Sequence, residues 1–457
     1  MPHGESVESG KSMVSNAVPG LNPALPGRDA NGSFACTGRR IRGVCPRAMT
    51  PLFRKLLGMN WVLVFCMYGL LIFGVFSIES AARHLPQGGE FFASQQKKWI
   101  LIGSGVYLLT ALIDYRWFRW LGIPMYAAGV ALCASIMDSE SEVHQIEVGG
   151  LAFQPAQLAI AAGILMLAWL LQDLPRLGRK IPKVGWLLEE PIVKVGLIAV
   201  LAGVPFLVVV KMGDMGSALV WLPVALVAMI VGGVPFRYLS FMALIGLAVL
   251  PLLYFVVLPQ ASERGMARIE LWLDMLEGRE VDVSGDAWAP HHIAVAIGHA
   301  GWSGTGHLSG EEQGSLHARK LIPFNTAHND FIFPVIAEEQ GFRGSMLLIT
   351  GFTLLLVTAL FVASYARDPM GRMLVGGVVG LFFAHIFENI GMCVQLMPIT
   401  GIPLPLISYS GTFVVMCMFL LGLVQSVWIH RRPLRELAAE QREDAQPSGL
   451  IISSDVR

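Results

Sequence analysis

The chain has 457 residues, of which 54% are hydrophobic and 14% are charged, and its mean hydropathy is +0.59. Soluble globular proteins carry about 25% charged residues, so this composition excludes a cytosolic enzyme, a disordered protein and a nucleic-acid-binding protein. The 33 basic and 33 acidic residues cancel, so the net charge indicates no electrostatic partner. The sequence predicts an integral membrane protein whose surface contacts membrane lipids.

Ten apolar runs are candidates for membrane-spanning helices, which need about 20 mostly apolar residues. Each run is expected to be helical, because the bilayer offers no water to satisfy an open backbone. We therefore predict an all-α membrane protein with about ten transmembrane helices and a large extracytoplasmic loop, 259–343, between helices 7 and 8. The runs are 61–77, 99–113, 121–137, 152–171, 192–210, 215–232, 236–258, 344–364, 374–396 and 406–429.

Lysine and arginine concentrate in alternate linkers, and such linkers mark the cytoplasmic side of a membrane protein. The linker 138–150, on the opposite side, carries four acidic residues and no lysine or arginine. Both termini are therefore predicted to be cytoplasmic. The cationic linkers are 39–55, 116–119, 176–183, 237, 367–372 and 431–435.

The two ends of the chain differ in composition from the apolar middle. Residues 1–50 are rich in Gly, Pro, Ser and Asn, have no apolar core, and predict a disordered cytoplasmic tail rather than a signal peptide. A true start at Met49, just before a basic cluster, is the alternative. Residues 436–457 are also polar and predict a second disordered tail, which leaves 51–435 as the membrane domain.

The outer loop contains two segments with recognisable patterns. Residues 262–280 have the periodicity of an amphipathic helix that lies on the bilayer surface, with Arg264 and Arg268 on it. Residues 296–310 contain five glycines, a spacing that can hold a phosphate through backbone N–H groups. The strand and the Lys-Ser/Thr pair of a nucleotide-binding loop are missing, so a flexible re-entrant turn is the preferred interpretation. Six histidines of this loop lack the spacing of zinc ligands.

Polar residues recur where the outer loop returns to the membrane. Asn329 and Asp330 precede an apolar stretch, a position typical of a helix N-cap. Glu338 and Glu339 follow about two turns later. Carboxylates at such depth are costly and are usually functional or paired, and Arg343 is the nearby candidate partner.

Three further polar positions stand out against the apolar background. Lys211 and Asp214 lie in a short outer linker, Glu388 and Asn389 lie inside an apolar run, and 400–411 has two prolines that must bend any helix. This spacing indicates a membrane protein with broken helices and an outward-facing polar site. It does not distinguish an enzyme from a transporter.

In these motifs the chain resembles the SEDS family, the RodA/FtsW/SpoVE proteins of bacterial cell-wall synthesis. Order, spacing and hydropathy agree from about 60 to 430. Several family motifs have counterparts here: F-Q-P-S-E in Phe153–Gln157, P-D-L-G-T in Gly213–Ser217, R…L-x-x-L-D-P in Arg268–Asp274, the Gly-rich turn in 296–306, H-T-D-F-I-F in His328–Phe333, A-E-E-x-G in Ala337–Gly341, N-I-G-M in Asn389–Met392, and P-x-T-G-I-P-L-P-L-x-S-Y-G-G in Pro398–Gly411.

The chain departs from the family pattern in several places, and the family's Gln-Ser pair before the Gly-rich turn is absent. Gln157 replaces an acid, Gly213 a proline, Asn329 a threonine and Ser410 a glycine, whereas the family's core aspartate is present as Asp330. The residues of the A-E-E, N-I-G-M and T-G-I-P motifs resemble the RodA elongation branch more than the FtsW division branch.

The resemblance implies a peptidoglycan glycosyltransferase that polymerises lipid II, an undecaprenyl-diphosphate-linked disaccharide-pentapeptide, at the outer face of the bacterial cytoplasmic membrane. It would serve cell elongation and shape, or division, together with a class B penicillin-binding protein transpeptidase. Asp330 is the implied general base. A divalent cation such as Mg²⁺ is left open. The candidate substrate-binding residues are Arg268, Arg264 and Lys211 for the leaving diphosphate, and Asp214, Gln154, His328, Glu338 and Ser408.

Two other functions fit the same residues. A flippase for lipid-linked precursors also needs an amphiphile-sized cavity and intramembrane carboxylates such as Glu338 and Glu388. A non-catalytic scaffold of a cell-wall synthase would explain the altered motifs. Catalysis requires its polar groups at the outer surface, whereas transport requires them at both faces. Their concentration in 259–343 favours the enzyme.

Overall fold

The structure is a computed structural model, and it describes residues 51–136, 146–148, 151–180, 190–252, 255 and 263–431. The chain divides into two compact units, Met1–Met49 and Thr50–Arg457, and all described residues belong to the second. The predicted tails 1–50 and 436–457 lie outside the described residues, so these domain assignments stay predictions.

The described part of the chain is almost entirely helical. One short antiparallel hairpin, β1 (Ile146–Val148) with β2 (Leu151–Phe153), interrupts it and pairs Ile146 with Phe153. The helices are α1 (Pro51–Leu57), α2 (Trp61–Ala81), α3 (Gly89–Leu112), α4 (Arg119–Ile136), α5 (Pro155–Lys180), α6 (Pro191–Lys211), α7 (Met215–Leu219), α8 (Trp221–Val231), α9 (Phe236–Leu252), α10 (Glu263–Leu276), α11 (Trp288–His299), α12 (Ile332–Ser364), α13 (Pro369–Cys393) and α14 (Gly411–Ile429).

The predicted all-α membrane fold is confirmed. Seven helical stretches among the described residues are long and apolar enough to cross a membrane, and each overlaps one of the predicted runs. The other three runs coincide with α3, with α7 and α8 together, and with α9. The protein is therefore a multi-pass membrane protein.

Glycines let the central helices approach closely, as is common where helices pack inside a membrane. A Cβ atom at Gly377 of α13 would lie 2.6 Å from Ile164 of α5, and one at Gly376 would lie 2.9 Å from Val227 of α8. Helix α13 is therefore held between α5 and α8. Large apolar side chains on the periphery, such as Leu101 at 75% exposure, form the surface that faces lipid.

Helix α12 differs from its predicted bounds. The apolar run begins at 344, but the helix begins at Ile332, so Glu338 and Glu339 lie inside it. The helix breaks at Gly341, whose φ of 66° and ψ of −162° are not helical. A Cβ atom at this glycine would lie 2.4 Å from the backbone nitrogen of Gly304, so only glycine fits here.

The Gly-rich stretch of the outer loop packs against this break. The N–H groups of Thr305 and Gly306 donate to the carbonyl oxygens of Glu338 and Glu339, both at 2.9 Å, and Phe342 N–H donates to Gly301 at 2.9 Å. These N–H groups already donate to carbonyl oxygens of the protein, so they are not available to a phosphate. The stretch therefore joins the outer loop to α12 through backbone hydrogen bonds, and it is neither a flexible turn nor an anion-binding loop.

Candidate functional site

The segment His328–Asp330, just before α12, is clamped through its backbone. The Ser408 hydroxyl donates to the carbonyl oxygen of Asn329 at 2.5 Å, and Tyr409 N–H donates to that of His328 at 2.8 Å. The Asn389 amide donates to the Asp330 carbonyl at 2.8 Å. Three backbone carbonyls in a row are therefore fixed by α13 and the Pro-rich turn 400–411.

The Asp330 side chain does not cap helix α12, although its position in the sequence is typical of an N-cap. The N-cap position of α12 is Phe331, and no side chain caps that end, so the N-cap alternative for Asn329 and Asp330 is wrong. No described residue hydrogen-bonds the Asp330 carboxylate. One of its oxygens lies 3.6 Å from where a Cβ atom of Gly401 would be. The site thus holds a carboxylate on a rigid backbone with its oxygens available.

The surroundings of Asp330 raise the pKa of its carboxyl to about 6. Burial is the main cause, because it penalises the charged form. The negative charge of Asp214 raises the pKa further, and the positive charge of Arg268 opposes both. A carboxyl whose pKa lies near neutrality can accept a proton during a reaction, whereas an ordinary aspartate is a much weaker base.

Asp214 belongs to a polar cluster beside Asp330. Its carboxylate caps α7 by accepting from Ser217 N–H at 3.0 Å, and it accepts from the Gln154 amide at 2.8 Å. The amide of Gln157, which replaces the family's acid, donates to the Ser217 hydroxyl at 3.4 Å. The structure therefore joins two motifs that are about 60 residues apart, and it gives Asp214 and Gln154 fixed partners.

Gly213 precedes this cluster at a φ of 88°. Proline is fixed near −65°, so the family's proline could not adopt this backbone conformation. The replacement therefore changes the local turn that leads into Asp214 while the cap of α7 is kept.

The three predicted cations occupy different positions. Arg268 on α10 donates to the Ile399 carbonyl at 3.4 Å and is close enough to Asp330 to lower its pKa. Lys211 is exposed at the end of α6. The side chain of Arg264 lies outside the described residues. Arg268 is the cation that the structure brings to the carboxylate.

His328 and Ser408 are neutral side chains that hold the site in position. The His328 ring lies 4.9 Å from that of Phe92 and 5.5 Å from that of Tyr409, and burial lowers its pKa to about 4, so it is neutral near pH 7. Ser408 is 1% exposed, and its hydroxyl also accepts from Leu404 N–H at 2.8 Å.

Glu338 lies apart from Asp330 and anchors the outer loop. It is 0% exposed, and its carboxylate accepts from the N–H groups of Leu316 and His317 and from the Ser315 hydroxyl. Its partners are therefore two backbone N–H groups and a serine hydroxyl rather than the expected Arg343. Glu339 is held in the same way by Ser80, Leu308 and His307.

Two polar residues of α13 were seen in the sequence but not assigned to the site. Asn389 is fully buried and donates to Asp330 and, at 2.8 Å, to the Ile402 carbonyl. Glu388 beside it is 4% exposed and interacts electrostatically with Asp214. The signal for both was a pair of polar side chains inside an apolar run.

Within the described ranges, no group of three His, Cys, Asp or Glu side chains is arranged to hold a metal ion. The divalent cation therefore stays an open prediction.

Comparison with known proteins identifies the family to which this chain belongs. The pattern of a family of cell cycle proteins, which comprises FtsW, RodA and SpoVE, matches residues 56–433. The chain is similar to the peptidoglycan glycosyltransferase MrdB of Escherichia coli (strain K12), with 27% identity over 372 residues that cover 80% of this chain and 94% of MrdB. It is similar to the probable peptidoglycan glycosyltransferase FtsW of Geobacter sulfurreducens, with 28% identity over 381 residues that cover 80% and 94%.

Solved structures share the fold over most of the chain. One is a chain of a peptidoglycan synthase complex that coordinates polymerization and crosslinking, with a TM-score of 0.63, 25% identity, and coverage of 81% of this chain and 97% of that one. Another is the Thermus thermophilus rod shape determining protein RodA, with a TM-score of 0.56, 25% identity, and coverage of 82% and 98%.

Proposed function

The chain belongs to the FtsW/RodA/SpoVE family of cell cycle proteins, and on that premise we propose that it is a peptidoglycan glycosyltransferase that polymerises lipid II. The observation that carries the proposal is Asp330. Its backbone is clamped by Asn389, and its carboxylate is unpaired among the described residues and has a pKa of about 6. A fixed carboxylate of this basicity is what a general base requires.

The reaction is a direct displacement at the anomeric carbon of the donor sugar. The 4-hydroxyl of the acceptor sugar attacks that carbon and passes its proton to the Asp330 carboxylate. A new C–O bond forms, the bond from the anomeric carbon to the diphosphate oxygen breaks, and its electron pair leaves with the lipid diphosphate. General-base assistance of this kind contributes about 10²–10⁴-fold in rate.

Arg268 supplies positive charge for the leaving group. Charge develops on the diphosphate as the bond breaks, and a guanidinium at that position stabilises it. Arg268 is suited to this role because its charge already acts on Asp330, so one site holds the base and the leaving-group cation together. Asp214, held by Gln154, keeps the pKa of the base high.

The polar groups of the site lie at one end of α13, which favours the enzyme over a flippase. Asp368 caps the start of α13 and is bound there by Tyr115 and Arg116 at 2.8 and 2.9 Å. Glu388 lies 20 residues further on, or about 30 Å along a helix. Residues 373–384 between them are all apolar or glycine. A transport path along this helix would need polar groups between its ends.

The scaffold alternative is weakened by the same geometry. A chain that had lost catalysis would have no need to keep a buried, unpaired carboxylate beside Asp214, since burying such a charge is costly. The altered motif positions Gln157, Gly213, Asn329 and Ser410 leave Asp330 and the donors that clamp its backbone in place.

Incubation of the purified protein with lipid II, with and without a class B penicillin-binding protein, tests the proposal, with glycan strands resolved by gel electrophoresis. We expect strands from the purified chain that depend on Asp330. Movement of lipid II between leaflets without strand formation would identify a flippase. Absence of strands from the well-folded chain both with and without the partner would identify a scaffold.

The setting of the reaction follows from the same proposal. The site would face the outside of a bacterial cytoplasmic membrane, with both chain termini in the cytoplasm. A class B penicillin-binding protein would crosslink the product, as the synthase complex of similar structure couples polymerization to crosslinking. The identity is 27% to MrdB and 28% to FtsW, so overall similarity does not distinguish elongation from division. The elongation role rests on the residues of the motifs alone.

A further inference from the structure

Glu388 of α13 is a buried carboxyl that the proposed reaction does not use. It is 4% exposed, and it has no hydrogen-bond partner among the described residues. An unpartnered acid is costly inside a membrane helix, and such residues are usually functional. The negative charge of Asp214 acts on Glu388, as it also acts on Asp330. Asp214 therefore couples Glu388 to the candidate base.

Asp214 and Glu388 approach the Pro-rich turn from different helices. Gly216, in the first turn of α7, packs on this turn so closely that a Cβ atom there would overlap the side chain of Ile402. Asn389, which follows Glu388 in α13, donates to the carbonyl oxygen of Ile402 at 2.8 Å. One residue of the turn therefore contacts both helices and holds their acidic residues at the same place.

Gln157 of α5 is a neutral member of this cluster. It stands where the family's motif has an acid. Gln157 is 1% exposed, and its amide donates to the hydroxyl of Ser217, the residue whose N–H donates to Asp214. Glutamate has the same length as glutamine, so an acid at 157 would lie beside Asp214. In this chain that place is neutral, and Glu388 brings a carboxyl to Asp214 from α13 instead.

Few other charges surround Glu388. Five helices pack against α13, namely α5, α8, α11, α12 and α14. Helices α8 and α14 contain no charged residue, and α5 contains none before Asp173. The titratable and charged groups that remain near this end of α13 are Asp214, Arg268, His291, His292, His299, His328, Asp330, Glu338, Glu339, Arg343 and His385. Of these, Asp214 is the one whose charge acts on Glu388.

We propose that Glu388 is a positioning residue for the glycosyl transfer, which shares one proton with Asp214 and so supplies the carboxyl that is missing at 157. The inference rests on the proposed function and deepens it. Two adjacent buried carboxyls do not readily ionise together, so the pair holds one proton and one negative charge. Because Glu388 takes part of that charge, Asp214 acts on Asp330 with less than a full charge. The base therefore stays ionised at a lower pH.

Infrared spectroscopy of the full-length protein in nanodiscs tests the shared proton without turnover. Asp330, with a pKa of about 6, is ionised at about pH 8. At that pH we expect Glu388→Gln to lose the C=O stretching band of one protonated carboxyl. The band should return in the double variant Glu388→Gln with Gln157→Glu, which moves the acid from α13 to α5. The control Glu280→Gln removes an exposed acid of the outer loop and should leave the band unchanged.

The pH profile of glycan synthesis tests the effect on the base. In Glu388→Gln the full charge returns to Asp214, so the pH of half-maximal kcat should rise by about 0.5 or more, since a full adjacent charge shifts a carboxyl by about 1–3. The rate at about pH 6 should then fall about twofold or more, with a much smaller loss at about pH 8. Glu388→Asp and the double variant should both bring the profile back toward that of the wild type.

Three results would overturn the proposal: a carboxyl band that persists in Glu388→Gln, a loss of rate that is equal at every pH, and a double variant that restores neither the band nor the profile. An equal loss at every pH would indicate damaged packing instead. Absence of glycan from the wild type would refute the proposed function, while the infrared band would still decide whether the proton is shared. Normal synthesis with an unchanged pH profile in Glu388→Gln would refute the role of Glu388 alone.

Discussion

Replacement of Asp330 by asparagine separates catalysis from stability. The pKa of this carboxyl is about 6 in the folded protein, against an ordinary value of 3.8. The folded chain therefore binds this proton more tightly than the unfolded chain does, so stability falls as pH rises through that interval. The loss of folding stability reaches its full size above about pH 7, where the pKa difference of about 2 units corresponds to about 3 kcal/mol.

Asp330→Asn keeps the size of the side chain and removes the ionisation. We expect the variant to be more stable than the wild type at pH 7.5, by up to about 3 kcal/mol, and to lose most of this advantage only as the pH falls to about 4. Its rate of glycan synthesis should fall by at least about 10²-fold, because an amide cannot accept the proton. Thermal unfolding in detergent at both pH values and polymerisation of lipid II measure the two effects.

Asp282→Asn is the matched control. Asp282 is an exposed aspartate of the outer loop whose carboxylate accepts from Ser284 at 2.9 and 2.6 Å, and these bonds lower its pKa. It should polymerise lipid II at a rate near that of the wild type and gain no stability. Normal glycan synthesis by Asp330→Asn would refute the general base, and a loss of stability at pH 7.5 would refute the burial argument.

Four further predictions concern the support of the site and its orientation. We expect the rate of the wild type to be half-maximal near the pKa of Asp330, and in Arg268→Ala this pH should move upward, because Arg268 lowers the pKa of the base; an unchanged pH profile would remove the arginine from the site. Asn389→Asp should lower kcat about tenfold or more with little change in KM, because a carboxylate cannot donate the two hydrogen bonds that hold the turn, each worth about 1 kcal/mol; normal kcat would contradict the clamp. Glu338→Ala should lower the amount of folded protein and leave the rate per folded molecule within about threefold, since the carboxylate anchors only the loop through bonds worth about 1.5–3 kcal/mol each; a pure loss of rate would place it in catalysis. Labelling from outside should modify a single cysteine at Ser284 and not one at Lys180, and the reverse pattern would overturn the topology.

The helical membrane fold could be predicted because hydrophobicity over about 20 residues is a local property of sequence. The start of α12 could not be predicted in this way. The sequence placed Glu338 and Glu339 at membrane depth with Arg343 as the nearby candidate partner, yet distant N–H and hydroxyl groups satisfy both carboxylates. Such partners are non-local, and no pattern within 325–345 indicates them.

The candidate site was predictable in its residues but not in their arrangement. Asp330 was identified through the motif that contains it, while local spacing equally suggested an N-cap, which the structure contradicts. The clamp on its backbone comes from Asn389 and Ser408, about 60 and 80 residues away in sequence. The proximity of Arg268 to Asp330 depends on where α10 lies relative to the turn 400–411, which is a tertiary property.

The configuration of the newly formed glycosidic bond tests the central claim most directly. Two carboxylates near the site have no hydrogen-bond partner among the described residues, Asp330 and the more deeply buried Glu388 of α13, whereas Asp214 is held by Gln154 and by Ser217 N–H. One general base and a direct displacement invert the anomeric centre, whereas retention requires a second carboxylate that forms a covalent intermediate. Glycan made from lipid II by the purified protein should therefore carry, by NMR, a bond opposite in configuration to the donor's phosphate bond. Retention of configuration would contradict the assignment of Asp330 as the base of a single displacement.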